Sequence, residues 1–65
     1  MSTVSKDTAD RIIAGEFPED GAVKIVKYTN MAGGDAYGVI FRHDDPDKYR
    51  ASPFVVNPSV YWTAP

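Results

Sequence analysis

Two strand-like runs joined by a pair of glycines constrain the fold of this chain more than any other feature of its sequence. Residues 22–29 (AVKIVKYT) and residues 36–42 (AYGVIFR) are rich in the β-branched and aromatic side chains typical of strands. The connection NMAGGD supplies glycines that can adopt the positive φ of a turn. We therefore predict a β-hairpin, with Val23 and Ile25 on one face of its first strand and Tyr37, Val39 and Phe41 on one face of its second strand.

The glycine loop does not have the pattern of a nucleotide site. A phosphate loop needs Gly-Lys-Ser/Thr at the start of a helix, so that backbone amides and the lysine converge on the phosphates. Here GGDAYG leads into a predicted strand, and Asp35 would repel a phosphate. A dinucleotide fold needs a βαβ unit that is too long for this chain. The pattern favours an ordinary hairpin turn.

One short helix is predicted before the hairpin. Asp7 is the expected N-cap, because its carboxylate can accept the amide hydrogen of Asp10. Apolar residues recur at helical spacing at Ala9, Ile12, Ile13 and Phe17. Gly15 can end the helix in a left-handed conformation, and Pro18 opposes further helix. Residues 18–21 (PEDG) then form a turn.

A third strand is predicted at residues 54–62 (FVVNPSVYW). Side chains of one parity in this run are Phe54, Val56, Val60 and Trp62. Pro58 cannot donate a ladder hydrogen bond, which places the strand at a sheet edge or breaks it. Before it, Asp45 and Pro46 predict the start of a single helical turn that ends at Tyr49.

The predicted fold class is α+β, with one N-terminal helix packed on a three-stranded antiparallel sheet in an α-β-β-β meander. Residues 1–65 form a single small domain, and residues 1–6 and 63–65 are candidates for mobile ends. The sequence contains no cysteine, so disulfides and thiolate chemistry are excluded. No signal-peptide pattern and no apolar run of about 20 residues is present. We expect a cytoplasmic protein with no membrane partner.

A cluster of acids at residues 43–47 is the best candidate for metal or catalytic chemistry. His43, Asp44, Asp45 and Asp47 all carry metal-binding groups. Neighbours in an extended chain point apart, however, and the sequence contains no second histidine. His43 beside Asp44 is only part of a catalytic triad, and a chain this small has little material to enclose a substrate. We expect a turn with capping aspartates, no metal, no cofactor and no enzymatic activity.

The predicted sheet is apolar on both faces. If Tyr37, Val39 and Phe41 pack under the helix together with Phe54, Val56 and Val60, then Ile40, Val55 and Tyr61 face outward. One short helix covers only part of one face. The other face is then covered either by the chain itself, through a bulge in the first strand or a coil formed by residues 43–53, or by a partner.

A protein–protein interaction module is therefore the function that the sequence favours. Tyr28, Tyr61 and Trp62 are the candidate aromatic anchors, and Asp44, Asp45 and Asp47 supply charge complementarity. An adaptor or inhibitor of a larger protein fits this profile, and a structural component of an assembly is an alternative. Phages and mobile elements encode many small acidic proteins, although that is a statement about gene size.

Nucleic-acid binding is the second hypothesis, and self-association is a related one. Tyr28 and Tyr61 could stack on bases if they shared an outer face with Lys24, Lys27 and Arg42. Nine acidic residues outnumber seven basic ones, which weakens this reading. A chain of 65 residues without disulfides is also short of stability as a monomer. A homodimer that uses the sheet face would bury apolar surface on both copies.

Overall fold

The computed structural model describes residues 1–16 and 21–65, and it confirms the α+β class. The elements in chain order are β1 (Ser2–Val4), α1 (Lys6–Ile13), β2 (Ala22–Thr29), β3 (Asp35–Phe41), a 3-10 helix (Lys48–Ala51) and β4 (Val56–Thr63). The strand β1 was not predicted, so the helix is the second element rather than the first. The predicted strand at residues 22–29 has the bounds of β2.

Within residues 1–16 and 21–65, the sheet has four antiparallel strands in the order β1-β3-β2-β4. The predicted three-stranded meander is therefore wrong in strand number and in connection. A meander would place β4 beside β3, but β1 already occupies that edge of β3. The chain after β3 instead crosses to the other side of the hairpin, and β4 pairs with β2. The short β1 and the longer β4 are the two edges.

The N-cap of helix α1 is Ser5 rather than the predicted Asp7. The Ser5 hydroxyl accepts the backbone N–H of Thr8 at 3.1 Å, and Ser5 keeps an extended backbone because β1 ends directly before it. Asp7 lies one turn from Arg11, with which it forms an ion pair at 3.2 Å. The predicted helix end at Gly15 is confirmed by its positive φ of 77°.

The predicted hairpin is confirmed between β2 and β3. The backbone N–H of Asn30 donates to the Gly34 carbonyl at 2.8 Å, and Gly33 has a φ of 85°. The side-chain oxygen of Asn30 also accepts the backbone N–H groups of Ala32 and Gly34, both at 3.0 Å. The loop is thus held by its own side chain as well as by its glycines. Phe17 of the predicted apolar stripe and most of the predicted PEDG turn lie outside the described residues.

One face of the sheet packs against α1. This helix-side cluster consists of the buried residues Ala9, Ile12, Ile25, Tyr37 and Val39. Phe41 packs against it, so the predicted common face of Tyr37, Val39 and Phe41 is confirmed. The apolar stripe of α1 supplies the cover, because its buried positions fall three residues apart.

The other face is covered by the chain itself. This turn-side cluster consists of Val26, Tyr28, Ala36, Ile40 and Tyr49, and Tyr49 comes from the 3-10 helix. Of the two ways to cover this face that the sequence allowed, the internal one through residues 43–53 is therefore realised. The 3-10 helix starts later than the predicted turn, because the Asp45 side chain accepts the backbone N–H of Asp47 at 3.0 Å and forms a separate turn.

Bulges explain why the predicted faces of β4 and β2 were wrong. Ile25 pairs with Trp62 while Val26 pairs with Val60, so Tyr61 is an extra residue in β4. Tyr61 and Trp62 consequently both pack against the helix-side cluster, although Tyr61 was expected to face outward.

A second irregularity in β2 separates two residues that were expected to share a face. The pairing with β3 shifts between Ala22 and Lys24. As a result, Val23 packs against the turn-side cluster while Ile25 belongs to the helix-side cluster. Strict alternation therefore holds along β2 only from Lys24 onwards.

Candidate functional site

The acidic side chains of the loop after β3 stabilise the turns that this loop forms. The Asp44 carboxylate accepts the backbone N–H of Phe41 at 2.9 Å, and this hydrogen bond lowers the pKa of Asp44 below its usual value. The same carboxylate lies 3.6 Å from the imidazole of His43 and 3.6 Å from the ammonium of Met1. Asp47 lies 3.5 Å from the guanidinium of Arg50. The carboxylates of Asp44 and Asp45 thus each accept a backbone N–H within a turn, but the predicted helix cap at Asp45 is wrong, because the N-cap of the 3-10 helix is Asp47, which makes no side-chain cap hydrogen bond.

A solvent-open groove of about 520 Å³ lies next to this loop. Its lining includes Met1, Ile40, His43, Asp44, Lys48 and Tyr49. A volume of this size is in the range of small-molecule sites. Its walls, however, carry charges of both signs and do not converge on one kind of ligand. In residues 1–16 and 21–65, no three His, Cys, Asp or Glu side chains come close enough to hold a metal ion.

The three predicted aromatic anchors do not form one surface. Tyr28 is only 8% exposed and belongs to the turn-side cluster, where its hydroxyl lies 3.1 Å from the Thr3 hydroxyl. Tyr61 and Trp62 are half-buried on the opposite face. A single partner surface cannot cover all three, because the sheet lies between them.

The hydroxyl of Tyr61 is engaged inside the protein. It donates a hydrogen bond of 2.6 Å to the Asp10 carboxylate, and this bond raises the pKa of Tyr61. The ammonium of Lys6 donates to the same carboxylate at 2.8 Å. Both hydrogen bonds lower the pKa of Asp10, with the larger part from Lys6. Tyr61 thereby ties β4 to α1.

The side chains proposed for nucleic-acid binding also lie apart. The Lys24 ammonium sits 5.6 Å from the ring centre of Tyr49 on the turn side. Lys27 pairs with Tyr37 of the helix-side cluster and forms an ion pair of 3.7 Å with Asp35. The expected common face is therefore not formed, since paired residues in an antiparallel sheet point to the same side. Arg42 follows β3 and is exposed.

The apolar surface along β4 was not predicted from the sequence. Phe54, Val56 and Val60 are 59%, 43% and 51% exposed, although all three were expected under the helix. We call these three residues the β4 edge surface. The signal for it was visible in the sequence, because residues 51–65 contain no Asp, Glu, Lys, Arg or His. Edge strands usually carry charges that prevent association, and β4 has none.

The β4 edge surface can be reached only from the open side of the sheet. Val60 pairs with Val26 of the turn-side cluster, whereas Val56 pairs with Thr29, whose side chain alternates to the helix side. The two exposed valines thus lie on opposite faces of the last strand. A partner must approach edge-on to contact both.

The backbone of β4 is poorly suited to adding another strand. Pro58 has no N–H to donate, and Asn57 between the two valines has a φ of 49°. The pairing with β2 also shifts twice along β4. These features interrupt the regular ladder that strand addition requires. Side chains rather than backbone groups are therefore the recognition elements at this edge.

Comparisons with known proteins identify no relative. No family description, no curated protein and no solved structure matches this chain. In the described part of the chain, neither helix is long and apolar enough to cross a membrane.

Proposed function

We propose that this protein is a small, non-enzymatic interaction module that docks on another protein through the β4 edge surface. The observation that carries the proposal is the exposure of Val56 and Val60 on an edge strand without charges, and of Phe54 two residues before that strand. Such a protein would act in the cytoplasm as an adaptor or an inhibitor. The lack of cysteine fits a reducing compartment.

The physical basis of the proposal is the unfavourable free energy of exposing apolar side chains to water. Covering apolar surface contributes about 25 cal/mol for each Å² removed from water. The residues of the helix-side and turn-side clusters already gain this free energy by packing inside the protein, whereas the residues of the β4 edge surface do not. An aromatic ring such as that of Phe54 is the kind of side chain that dominates interface energies. The edge is thus where a partner gains most.

The proposal moves the interaction site from the predicted tyrosines to the edge. Tyr28 and Tyr61 support it indirectly, since they hold the two faces of the sheet to β1 and α1. In the acidic loop, Asp47 keeps an exposed carboxylate and is retained as a contributor of charge complementarity. Nucleic-acid binding remains a prediction that no observation favours.

Site-specific photo-crosslinking in the organism that encodes the protein tests the proposal. Phe54→p-benzoylphenylalanine keeps the exposed phenyl ring and adds the photoreactive benzoyl group to it, and the same substitution at His43 is the matched control on another exposed site. We expect adducts with a protein of a different mass from position 54 and none of that mass from position 43. Adding Val60→Lys should abolish the adduct, because the lysine ammonium would have to be desolvated in the contact.

Two outcomes would contradict the proposal. Adducts of the same protein from both positions would show that the capture is not specific to the edge. An adduct at position 54 that survives Val60→Lys would show that the neighbouring valine lies outside the contact.

A further inference from the structure

We infer that a second copy of this chain covers the β4 edge surface and forms a twofold dimer. The inference rests on one premise of the proposed function, that the β4 edge surface is an interaction site, and it names the occupant of that site in the isolated protein. The β4 edge surface is both uncharged and exposed to water.

Charge is the first reason for a second copy. Near the axis of a twofold interface, each residue lies close to its own counterpart, so any charged side chain there is opposed by a like charge. All 16 side chains with a formal charge, 7 basic and 9 acidic, precede residue 51. Residues 51–65 are the one long part of the sequence that can lie across such an axis without repulsion. A strongly charged partner would find no complementary group there.

Area is the second reason. A stable interface takes about 800 Å² from each partner. The described surface totals 4312 Å², so such an interface needs about a fifth of it. Most residues from 51 to 65 are exposed, and they include three of the large apolar side chains that remain in water. With ten exposed residues against the roughly 20–30 that each side of such an interface contributes, the segment supplies about a third to a half of the contact.

The geometry of the edge fixes the kind of contact. The exposed valines lie on opposite faces of β4, so two copies meet edge to edge rather than face to face. Pro58 and the positive φ of Asn57 interrupt a continuous ladder between the copies. Packing of Phe54, Val56 and Val60 against their counterparts therefore holds the dimer. The sheet-face dimer expected from the sequence is replaced by an edge dimer, because Tyr49 closes that face internally.

Sedimentation velocity over a concentration series tests the inference. The mass of the wild-type protein should rise from 7.1 kDa towards twice that value as concentration increases. Val60→Lys should raise the dimer dissociation constant at least about tenfold, since burying an unpaired ammonium is unfavourable. Ala14→Lys is the matched control: it adds the same charge at an exposed helix end and should leave the constant unchanged.

Circular dichroism of each variant establishes that the fold is retained. If Val60→Lys fails to fold, Phe54→Lys serves instead, because Phe54 precedes β4 and is more exposed. A wild-type mass of 7.1 kDa at every concentration would overturn the inference. So would a dimer that tolerates lysine at both positions.

The failure of this inference can be separated from the failure of the proposed function. A monomeric protein that still crosslinks from position 54 to a larger protein would remove the dimer and leave the interaction module. Crosslinks from position 54 that join only two copies of this chain would support the dimer and remove the larger partner.

Discussion

The two faces of the sheet are closed by different amounts of chain. The eight-residue helix α1 covers the helix-side cluster with Ala9 and Ile12. On the other face, the four-residue 3-10 helix buries Tyr49 alone. Val55 also packs against the turn-side cluster, and the Met1 side chain lies over Gly38, which pairs with Val26 of that cluster. Separate side chains from several parts of the chain, with Tyr49 as the buried one, thus cover this face in place of a helix.

The two covers are also fastened differently. The helix side has a hydrogen-bonded link from Tyr61 of β4 through Asp10 to Lys6. On the turn side, the ring of Tyr49 has the Lys24 ammonium at 5.6 Å and the Arg50 guanidinium at 5.5 Å from its centre. A polar link between elements therefore supports one cover, while cation–π contacts and packing support the other.

Removing the ring on the turn side should have the largest effect. Tyr49→Ala is expected to lower the free energy of unfolding by about 3–5 kcal/mol, because the loss of a buried aromatic side chain leaves a cavity under the 3-10 helix. Urea denaturation followed by far-UV circular dichroism measures the change.

Tyr49→Phe is the control for this prediction, because it keeps the ring and should cost less than about 1.5 kcal/mol. Fluorescence of Trp62, the only tryptophan, reports from the helix side. Its transition should coincide with that of circular dichroism, as in a two-state domain. A loss from Tyr49→Ala below about 1 kcal/mol would mean that the other residues cover this face without Tyr49.

A smaller loss of stability is expected when one methylene is removed on the helix side, and it tests which residues of α1 are buried. Ile12→Val removes one buried methylene and should cost about 0.5–1.5 kcal/mol of unfolding free energy. The adjacent Ile13→Val removes the same group at an exposed position and should stay within about 0.5 kcal/mol of wild type. Parallel urea denaturations measure both variants. Equal losses from the two would show that the buried stripe of α1 is not the one described.

The smallest effect concerns the polar link to α1 and depends on pH. The pKa of Asp10 is lowered in the folded protein from its ordinary value of 3.8, first by Lys6 and then by Tyr61. A lowered pKa stabilises the fold above the unfolded value, and this contribution disappears as pH falls through the folded value. The stability difference between wild type and Asp10→Asn should thus be constant above about pH 5 and shrink in acid.

The measurement is a set of urea denaturations across the acidic range. Asp7→Asn is the matched control in the same helix, where an exposed ion pair with Arg11 contributes little. A difference for Asp10→Asn that stays constant down to pH 2 would show that the carboxylate is not stabilised by folding.

Local patterns predicted the elements better than their arrangement. The hairpin from residue 22 to residue 41 followed from β-branched residues and from the Asn30 to Gly34 turn, since both act between near neighbours in sequence. β1 was missed because Ser2–Val4 is too short to show a period, and it is a strand only because β3 offers an edge. The N-cap moved to Ser5 for the same reason.

The candidate surface was mispredicted because alternation fails at bulges. Parity placed Val56 and Val60 with Trp62 under the helix, but the extra residue Tyr61 moves Val60 to the turn side, and the second register shift, between Lys27 and Thr29, returns Val56 to the helix side. An edge strand also lacks a neighbour on one side, so its apolar residues remain in water whichever way they point. The uncharged run of residues 51–65 could have drawn attention to this edge without any structure.

The sequence by itself determined the class of this protein: one α-helix, a hairpin and a late strand, held without disulfides by packing. These depend on periodicity, turn residues and composition, which act locally. Tertiary structure alone decided that β4 pairs with β2, that Tyr49 covers the second face, and that Phe54, Val56 and Val60 are left exposed. Strand order and bulges arise from contacts between residues distant in sequence. The alternation of apolar side chains along a strand does not indicate which edge of the sheet that strand will join.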